Sequence, residues 1–297
     1  MNNNDKSLKM VICDVGDAAC AILRSPNGYA MMIDCGSGGS TDKENPVDLF
    51  YRTRRWLDIK EYSPGHPLTL LHITHPDDDH VRNARRISKE LCPLLLHRTR
   101  REEFYNPLHE DSDYVKFLDE PYRGHGRYNI DWGFERNKTF RIPLDVIKGN
   151  DSLKAKERNN SSIIRYVRYC GIGMLFCGDL EEAGWEYLCN QPNFQEIIQE
   201  GSVDILISSH HGHRSGYSKA LFNQIGKVQI VIHSKGSEAN KEETHVSHAY
   251  RQYATGVDYY PWTTKKYQKG YVLTTRNNGN IYIVIKDDSW AIATDKA

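Results

Sequence analysis

Three apolar strands that each run into histidine or aspartate constrain this chain more than any other feature. The first is Leu71-His72-Ile73-Thr74-His75-Pro76-Asp77-Asp78-Asp79-His80, in which a buried strand closes at Thr74 and two histidines and three aspartates follow within six residues. A tight loop at a strand end turns alternate side chains to one point, as metal binding requires. Taken alone, Asp77 to Asp79 would serve equally well as an acidic helix cap that stabilises the helix dipole. Phe176-Cys177-Gly178-Asp179 then places a carboxylate after a second apolar strand, and Ile205-Leu206-Ile207-Ser208-Ser209-His210-His211-Gly212 places a histidine pair after a third. Strand ends of this kind converge on one rim of a mixed sheet, where ligand sites form. Stability explains each segment singly and the three together poorly.

The rest of the chain is compatible with a folded domain around such a rim. It has 297 residues, 39% apolar and 26% charged, with 39 Lys+Arg against 39 Asp+Glu. These are globular values, and the balanced charge offers no global attraction to nucleic acid while allowing a local basic groove. The longest apolar run, residues 18–23, is far below the ~20 residues of a membrane helix, so no membrane partner is expected. Residues 1–6 hold no apolar stretch resembling a secretory signal. Seven cysteines stand at 13, 20, 35, 92, 170, 177 and 189 without metal-ribbon spacing, as in a reducing cytoplasm, which is the expected location.

Periodicity predicts strands over 8–13, 19–23 and 30–33, a helix over 46–57 and a buried strand over 68–73. From about 98 to 158 the chain turns polar and aromatic with weak periodicity, which reads as an insertion over one face. Strands are expected again at 162–169, 173–177, 203–208, 228–233, 270–275 and 280–285, with helices at 180–188, near 217–225 and near 245–253. The pattern predicts one domain over 1–297, an α+β fold of two mixed sheets flanked by helices.

In series, the motifs resemble the metallo-β-lactamase-fold hydrolases, nearest to the nuclease-like domain of ComEC-type DNA-uptake proteins and its stand-alone relatives. His75-Pro76-Asp77-Asp78-Asp79-His80 matches the family's metal loop, and Cys13-Asp14-Val15-Gly16-Asp17 matches its opening strand with one glycine absent. Met32-Ile33-Asp34-Cys35-Gly36, Asn159-Asn160-Ser161-Ser162, Gly178-Asp179 and His210-His211-Gly212 match further landmarks in order. The resemblance implies an αββα sandwich with two divalent metal ions on its rim. His75 and Asp77 would bind one ion, Asp79, His80 and His210 the other, and Asp179 would bridge them. Asp77 stands where many members carry histidine, which hardens the site and shifts preference from Zn²⁺ toward Mn²⁺ or Mg²⁺.

The same resemblance implies a two-metal-activated hydroxide attacking a phosphodiester, with Asp79 in the catalytic group and His211 or His245 protonating the leaving oxygen. Asp34 would orient a ligand histidine, while Asn159 or Asn160 would shape the site. His213 takes the place of the serine that usually follows the histidine pair. The family's additional histidine ligand has no counterpart in context, since His109 and His125 lie in the insertion. Either member of the His210–His211 pair can be the ligand, with His210 favoured.

DNA is the expected substrate, met by arginines 52, 54, 55, 82, 85, 86, 98, 100 and 101 and by tyrosines of the insertion that stack on bases. A small phosphodiester, a lactam or thioester, and a catalytically silent scaffold are the alternatives. The sequence leaves the oligomeric state open.

Overall fold

The computed structural model describes residues 5–38, 43–104, 106–123, 128–235 and 246–297. Five strands open the chain in one sheet: β1 (Leu8–Ile12), β2 (Ala21–Arg24), β3 (Ala30–Ile33), β4 (Leu70–His72) and β5 (Leu95–His97). A second sheet holds β6 (Arg136–Phe140), β7 (Ile164–Tyr169), β8 (Ile172–Phe176), β9 (Ile205–Ile207) and β10 (Ile230–His233). Then β11 (Val257–Pro261) and β12 (Gln268–Gly270) return to the first sheet, β13 (Val272–Thr274) joins the second, and β14 (Ile281–Lys286) and β15 (Ser289–Thr294) close the first. The strand orders are β12-β11-β15-β14-β1-β2-β3-β4-β5 and β13-β10-β9-β8-β7-β6.

Strand alternation explains the layers. Along β1, Met10 and Ile12 enter a core between the two sheets with Leu23, Phe176, Ile205 and Ile230, while Val11 enters an outer core with Val47, Leu49 and Phe50. The second sheet buries its other face under Trp185, Phe194, Leu221 and Tyr250, which come from helices Glu182–Cys189, Pro192–Glu200, Lys219–Ile225 and Ser247–Arg251. Three cores between four layers make the expected αββα sandwich.

The stretch 98–158 does more than cover one face. Phe104, Leu108, Tyr114, Val115 and Leu118 join the first outer core, whereas Phe140, Ile142, Ile147 and Leu153 join the second. Between these, β6 pairs antiparallel with β7. Its helical turns are at most six residues long, too short to print a 3.6-residue period. Helix Pro192–Glu200 and strands β11, β12 and β15 fall outside the periodicity reading. The strands are edge-side and rich in polar and aromatic residues, so the burial pattern of a central strand is absent.

One buried polar group links the two sheets. His72 Nε2 lies 3.0 Å from the Ile163 carbonyl, to which it must donate, so His72 Nδ1 is an acceptor for His97 Nδ1 at 2.9 Å. Arg165 Nη2 approaches both rings at 3.5 and 3.4 Å. Burial, together with Arg165, Arg141 and Arg98, brings His97 down to about 4 from an ordinary 6.5. Between pH 4 and 6.5 the unfolded chain therefore binds the proton that the folded chain refuses, so this contribution to stability is complete above 6.5 and is lost as pH falls toward 4. It amounts to about 3 kcal/mol. His97→Gln is expected to remove about one proton's worth of slope from urea-unfolding free energies across that window. An unchanged slope would dismiss the burial argument.

Candidate metal centre

Strands β3 and β4 are parallel, as are β8, β9 and β10, so the residues after their C-terminal ends gather on one rim. Asp34 follows β3, the 75–80 loop follows β4, Asp179 follows β8, the histidine pair follows β9 and Ser234 follows β10. Backbone contacts lock this rim: the Cys35 N–H donates to the His80 carbonyl at 2.8 Å and the Ala19 N–H to the Asp79 carbonyl at 3.0 Å. A Cβ at Gly36 would sit 1.5 Å from the Asp79 carbonyl oxygen, so only glycine permits this approach.

Within the metal loop the three aspartates divide. Asp78 faces out and pairs with Arg82, while Asp77 and Asp79 face the rim. Asp79, His80, Asp179 and His211 bring one ligand atom each to within 4.8 Å of one another. His80 Nε2 is 3.2 Å from Asp179 Oδ1, and His211 Nε2 is 3.2 Å from Asp79 Oδ2 and 3.7 Å from Asp179 Oδ2. His75 Nε2 lies 3.9 Å and His210 Nε2 3.7 Å from Asp179 Oδ2, with Asp77 Oδ2 3.8 Å from His75 Nε2. The sequence grouping has His210 beside Asp79 and His80; the structure brings His211 into that group, while His210 reaches the rim through Asp179 Oδ2. Both histidines of the pair have left-handed φ, 49° and 54°, a turn that lets adjacent side chains reach one carboxylate from two directions.

All four imidazoles have the same polarity. His80 Nδ1 donates to Asp34 Oδ2 at 2.8 Å, and His211 Nδ1 donates to the Ser234 carbonyl at 2.8 Å. His75 Nδ1 meets Thr74 Oγ1 at 3.2 Å, and that hydroxyl donates to Asp34 Oδ2 at 2.8 Å. His210 Nδ1 meets Ser215 Oγ at 2.9 Å, and Ser215 is itself 3.3 Å from Glu181 Oε1. With Nδ1 tied off, each ring turns Nε2 toward Asp179, the arrangement by which outer partners set the tautomer of metal-ligating histidines.

The charges are arranged as a protonated substitute for cations. Burial works against charge on His80, yet Asp179 and Asp34 hold its imidazolium well above the usual range; Asp179 and Asp79 likewise raise His211 against burial. In return these histidines keep the Asp179 and Asp79 carboxyls below the usual carboxylate range despite burial. Burial and the neighbouring His80 lower His75. Metal binding at such a group displaces protons.

The residues fit divalent ions. His75 Nε2 is buried without a hydrogen-bond partner, a state that costs ~1–3 kcal/mol unless something else satisfies it, and His80 Nε2 faces Asp179 Oδ1 at 3.2 Å outside hydrogen-bond geometry. The set is two aspartates on the rim, one buried aspartate and four histidines, donors suited to Zn²⁺ or Mn²⁺. Asp34, 2% exposed, acts through the rings it orients. Asp34→Ala is expected to lower metal affinity about 10–100-fold in a chelator competition, and unchanged affinity would deny it that role.

The other sequence candidates separate clearly. Asn159 lines the cleft above the rim and donates to Glu181 Oε1 at 2.9 Å, whereas Asn160 is buried and donates to the Leu153 carbonyl. The His213 ring lies 4.9 Å from that of His210. His245 and His125 lie outside the described residues, and His109 is exposed. Cys35 is a buried thiol that burial and Asp34 push well above its ordinary range, a poor nucleophile. Of the arginine series, Arg52, Arg54, Arg82, Arg86 and Arg98 are each paired with a carboxylate. Thr74, Glu181, Ser215 and Ser234 escaped the sequence reading. Their only signal is closeness in sequence to a ligand-type residue, and hydroxyls and carbonyls are too common for that to discriminate.

Among the described residues no helix is long and apolar enough to cross a membrane. No curated protein matches the sequence. Among solved structures, the metallo-beta-lactamase fold protein YhfI from Bacillus subtilis aligns at 12% identity and TM-score 0.47, over 93% of this chain and 99% of that one. The sequence model of the metallo-beta-lactamase superfamily matches residues 13–188, a span that begins at the end of β1 and takes in the metal loop and Asp179. With that match over more than half its length, the chain belongs to the metallo-beta-lactamase superfamily of hydrolases.

Proposed function

We propose that this protein is a metal-dependent phosphodiesterase, a nuclease acting on DNA, with two divalent ions at the rim. The observation that carries the reading is the convergence of four histidine Nε2 atoms on Asp179, each ring fixed through its Nδ1. His75, Asp77 and His210 would hold one ion and Asp79, His80 and His211 the other, with Asp179 shared. Bound ions supply Lewis acidity toward a phosphoryl oxygen and a water of lowered pKa.

The chain's own residues do the rest. Asp34 and Thr74 fix the His75 and His80 rings, and Ser215 with Glu181 fixes His210. His211 turns its Nε2 to the carboxylates, which makes it a holder of metal in this reading instead of the proton donor expected from sequence. Three carboxylates in the ligand set favour Mn²⁺ or Mg²⁺ more than an all-histidine site would. That hardness supports a phosphodiester over a lactam or thioester. The seven free cysteines, five of them buried, support a reducing cytoplasm.

The test is cleavage by chelated protein after separate addition of Mn²⁺, Mg²⁺ and Zn²⁺. Substrates are single-stranded DNA, duplex DNA and bis-p-nitrophenyl phosphate. Metal-dependent DNA cleavage is the expected result; hydrolysis of none with any metal would overturn the reading.

A further inference from the structure

Strands β5 and β6 each end a sheet, and Arg165 of β7 reaches between them. Thr139 stands directly opposite Arg165 in the β6–β7 pair, and Asn137 two positions along shares its face, which looks toward the first sheet. Arg165 is 5% exposed, and among the described residues its guanidinium pairs with no carboxylate. Nη1 donates to Asn137 Oδ1 at 2.5 Å. Nη2 has His72 Nδ1 at 3.5 Å, an acceptor already taken by the His97 Nδ1–H, and Nε has no partner. The neighbouring arginines are matched, Arg98 with Asp119 and Arg141 with Glu103. Burial lowers Arg165 to about 10, which leaves it charged at neutral pH. A buried charge is costly unless paired, and the chain supplies this one with neutral partners only. Half-buried His97 and Asn137 and exposed Thr139 make a polar path from solvent to it between the two edge strands.

We infer that Arg165 anchors a binding site for a phosphate-type oxyanion, seated between β5 and β6 and lined by His97, Asn137 and Thr139. The site is separate from the metal rim and does not depend on the hydrolase reading. A guanidinium fork matches two oxygens of one phosphate or sulfate group, a geometry that a chloride ion cannot use. The Thr139 hydroxyl and the Asn137 amide add neutral donors. His97 completes the lining. Its Nδ1–H is committed to His72, so Nε2 is bare, and burial with Arg165, Arg141 and Arg98 keeps the ring neutral. An oxyanion arriving beside Nε2 brings the negative charge that holds a proton there, so binding takes up a proton on His97. His72 stays neutral, its Nε2–H held by the Ile163 carbonyl, and Glu103 and Asp119 remain with Arg141 and Arg98. Free phosphate and the phosphate of a nucleotide share this chemistry.

The experiment is calorimetric titration of metal-free protein with sodium sulfate and, separately, with deoxyadenosine monophosphate, at fixed ionic strength in chloride. Wild type is compared with Asn137→Asp and Arg165→Met. Sulfate is expected to bind wild type saturably and both variants at least ~10-fold more weakly, the loss of one charge-assisted contact. Asn137→Asp gives Arg165 a carboxylate from within the chain, so it is also expected to melt higher than wild type in sulfate-free buffer. That readout stands even where Arg165→Met fails to fold. As pH falls from about 7.5 to about 5.5, sulfate binding to wild type is expected to tighten, and His97→Gln to show no such trend. Sulfate does not titrate in that window, and a trend that persists in His97→Gln would overturn the proton uptake. Nucleotide binding tighter than sulfate, with the same loss in the variants, assigns the site to a nucleotide's phosphate; weaker binding assigns it to the free oxyanion. No saturable sulfate binding by wild type, unchanged binding in Asn137→Asp, or an Asn137→Asp protein that melts no higher would overturn the inference.

Discussion

Asp179→Ala is expected to lower kcat/KM for a phosphodiester by at least about 1000-fold, equivalent to about 4 kcal/mol of transition-state stabilisation. Among the described residues, no other rim side chain is approached by four imidazoles, here at 3.2 to 3.9 Å. Removing its carboxylate takes a shared anchor from both proposed metal positions at once. The backbone consequence is small, because the Asp179 N–H keeps its 3.0 Å bond to Ser162 Oγ and the turn is made by Gly178, φ 51°. Circular dichroism of the metal-free variant should therefore stay near wild type while retained metal falls. Asp179→Asn keeps the volume, loses the charge and should fail similarly. Full activity in either variant would sink the two-metal reading.

The second large effect is on stability and lies far from the rim. Asp119 is fully buried and Arg98 nearly so, and the two form an ion pair at 2.5 Å. Asp119 Oδ2 also accepts from the Arg101 N–H at 3.3 Å and from Arg123 at 3.5 Å, while the Asp119 carbonyl accepts from Arg98 at 3.0 Å. Asp119→Ala leaves a buried guanidinium without its counter-charge, which costs about 3–5 kcal/mol. Replacing both partners, Arg98→Met with Asp119→Leu, removes the uncompensated charge and is expected to recover most of the loss. The pair ties down the part of the insertion that packs Tyr114, Val115 and Leu118 against the first outer core. A single substitution costing under about 1 kcal/mol would show that the pair does not anchor it.

These two residues were unequally legible. Asp179 announces itself as a lone carboxylate after an apolar strand, because a buried strand end followed by Gly-Asp is a local pattern. Asp119 lies in a stretch of short helical turns, and its partner is 21 residues away, a distance at which no local period operates. The arginines show the same limit. Their spacing suggests a basic groove, but Arg86 meets Asp48, 38 residues away, a carboxylate that only folding brings near.

The amino-acid order alone decided the architecture and the chemistry of the rim. Apolar alternation selects which strands are buried on both faces, and a His or Asp at a strand end carries its donor atoms wherever that end goes. Folding decided the partition within the rim. In an extended strand His210 and His211 would point to opposite sides, so sequence reasoning had to choose one. The left-handed turn, followed by Gly212 at φ 80° and held by the Ser215 and Ser234 contacts, brings both imidazoles to Asp179. Such a turn depends on tertiary hydrogen bonds for its stability, and no periodicity in the chain encodes them.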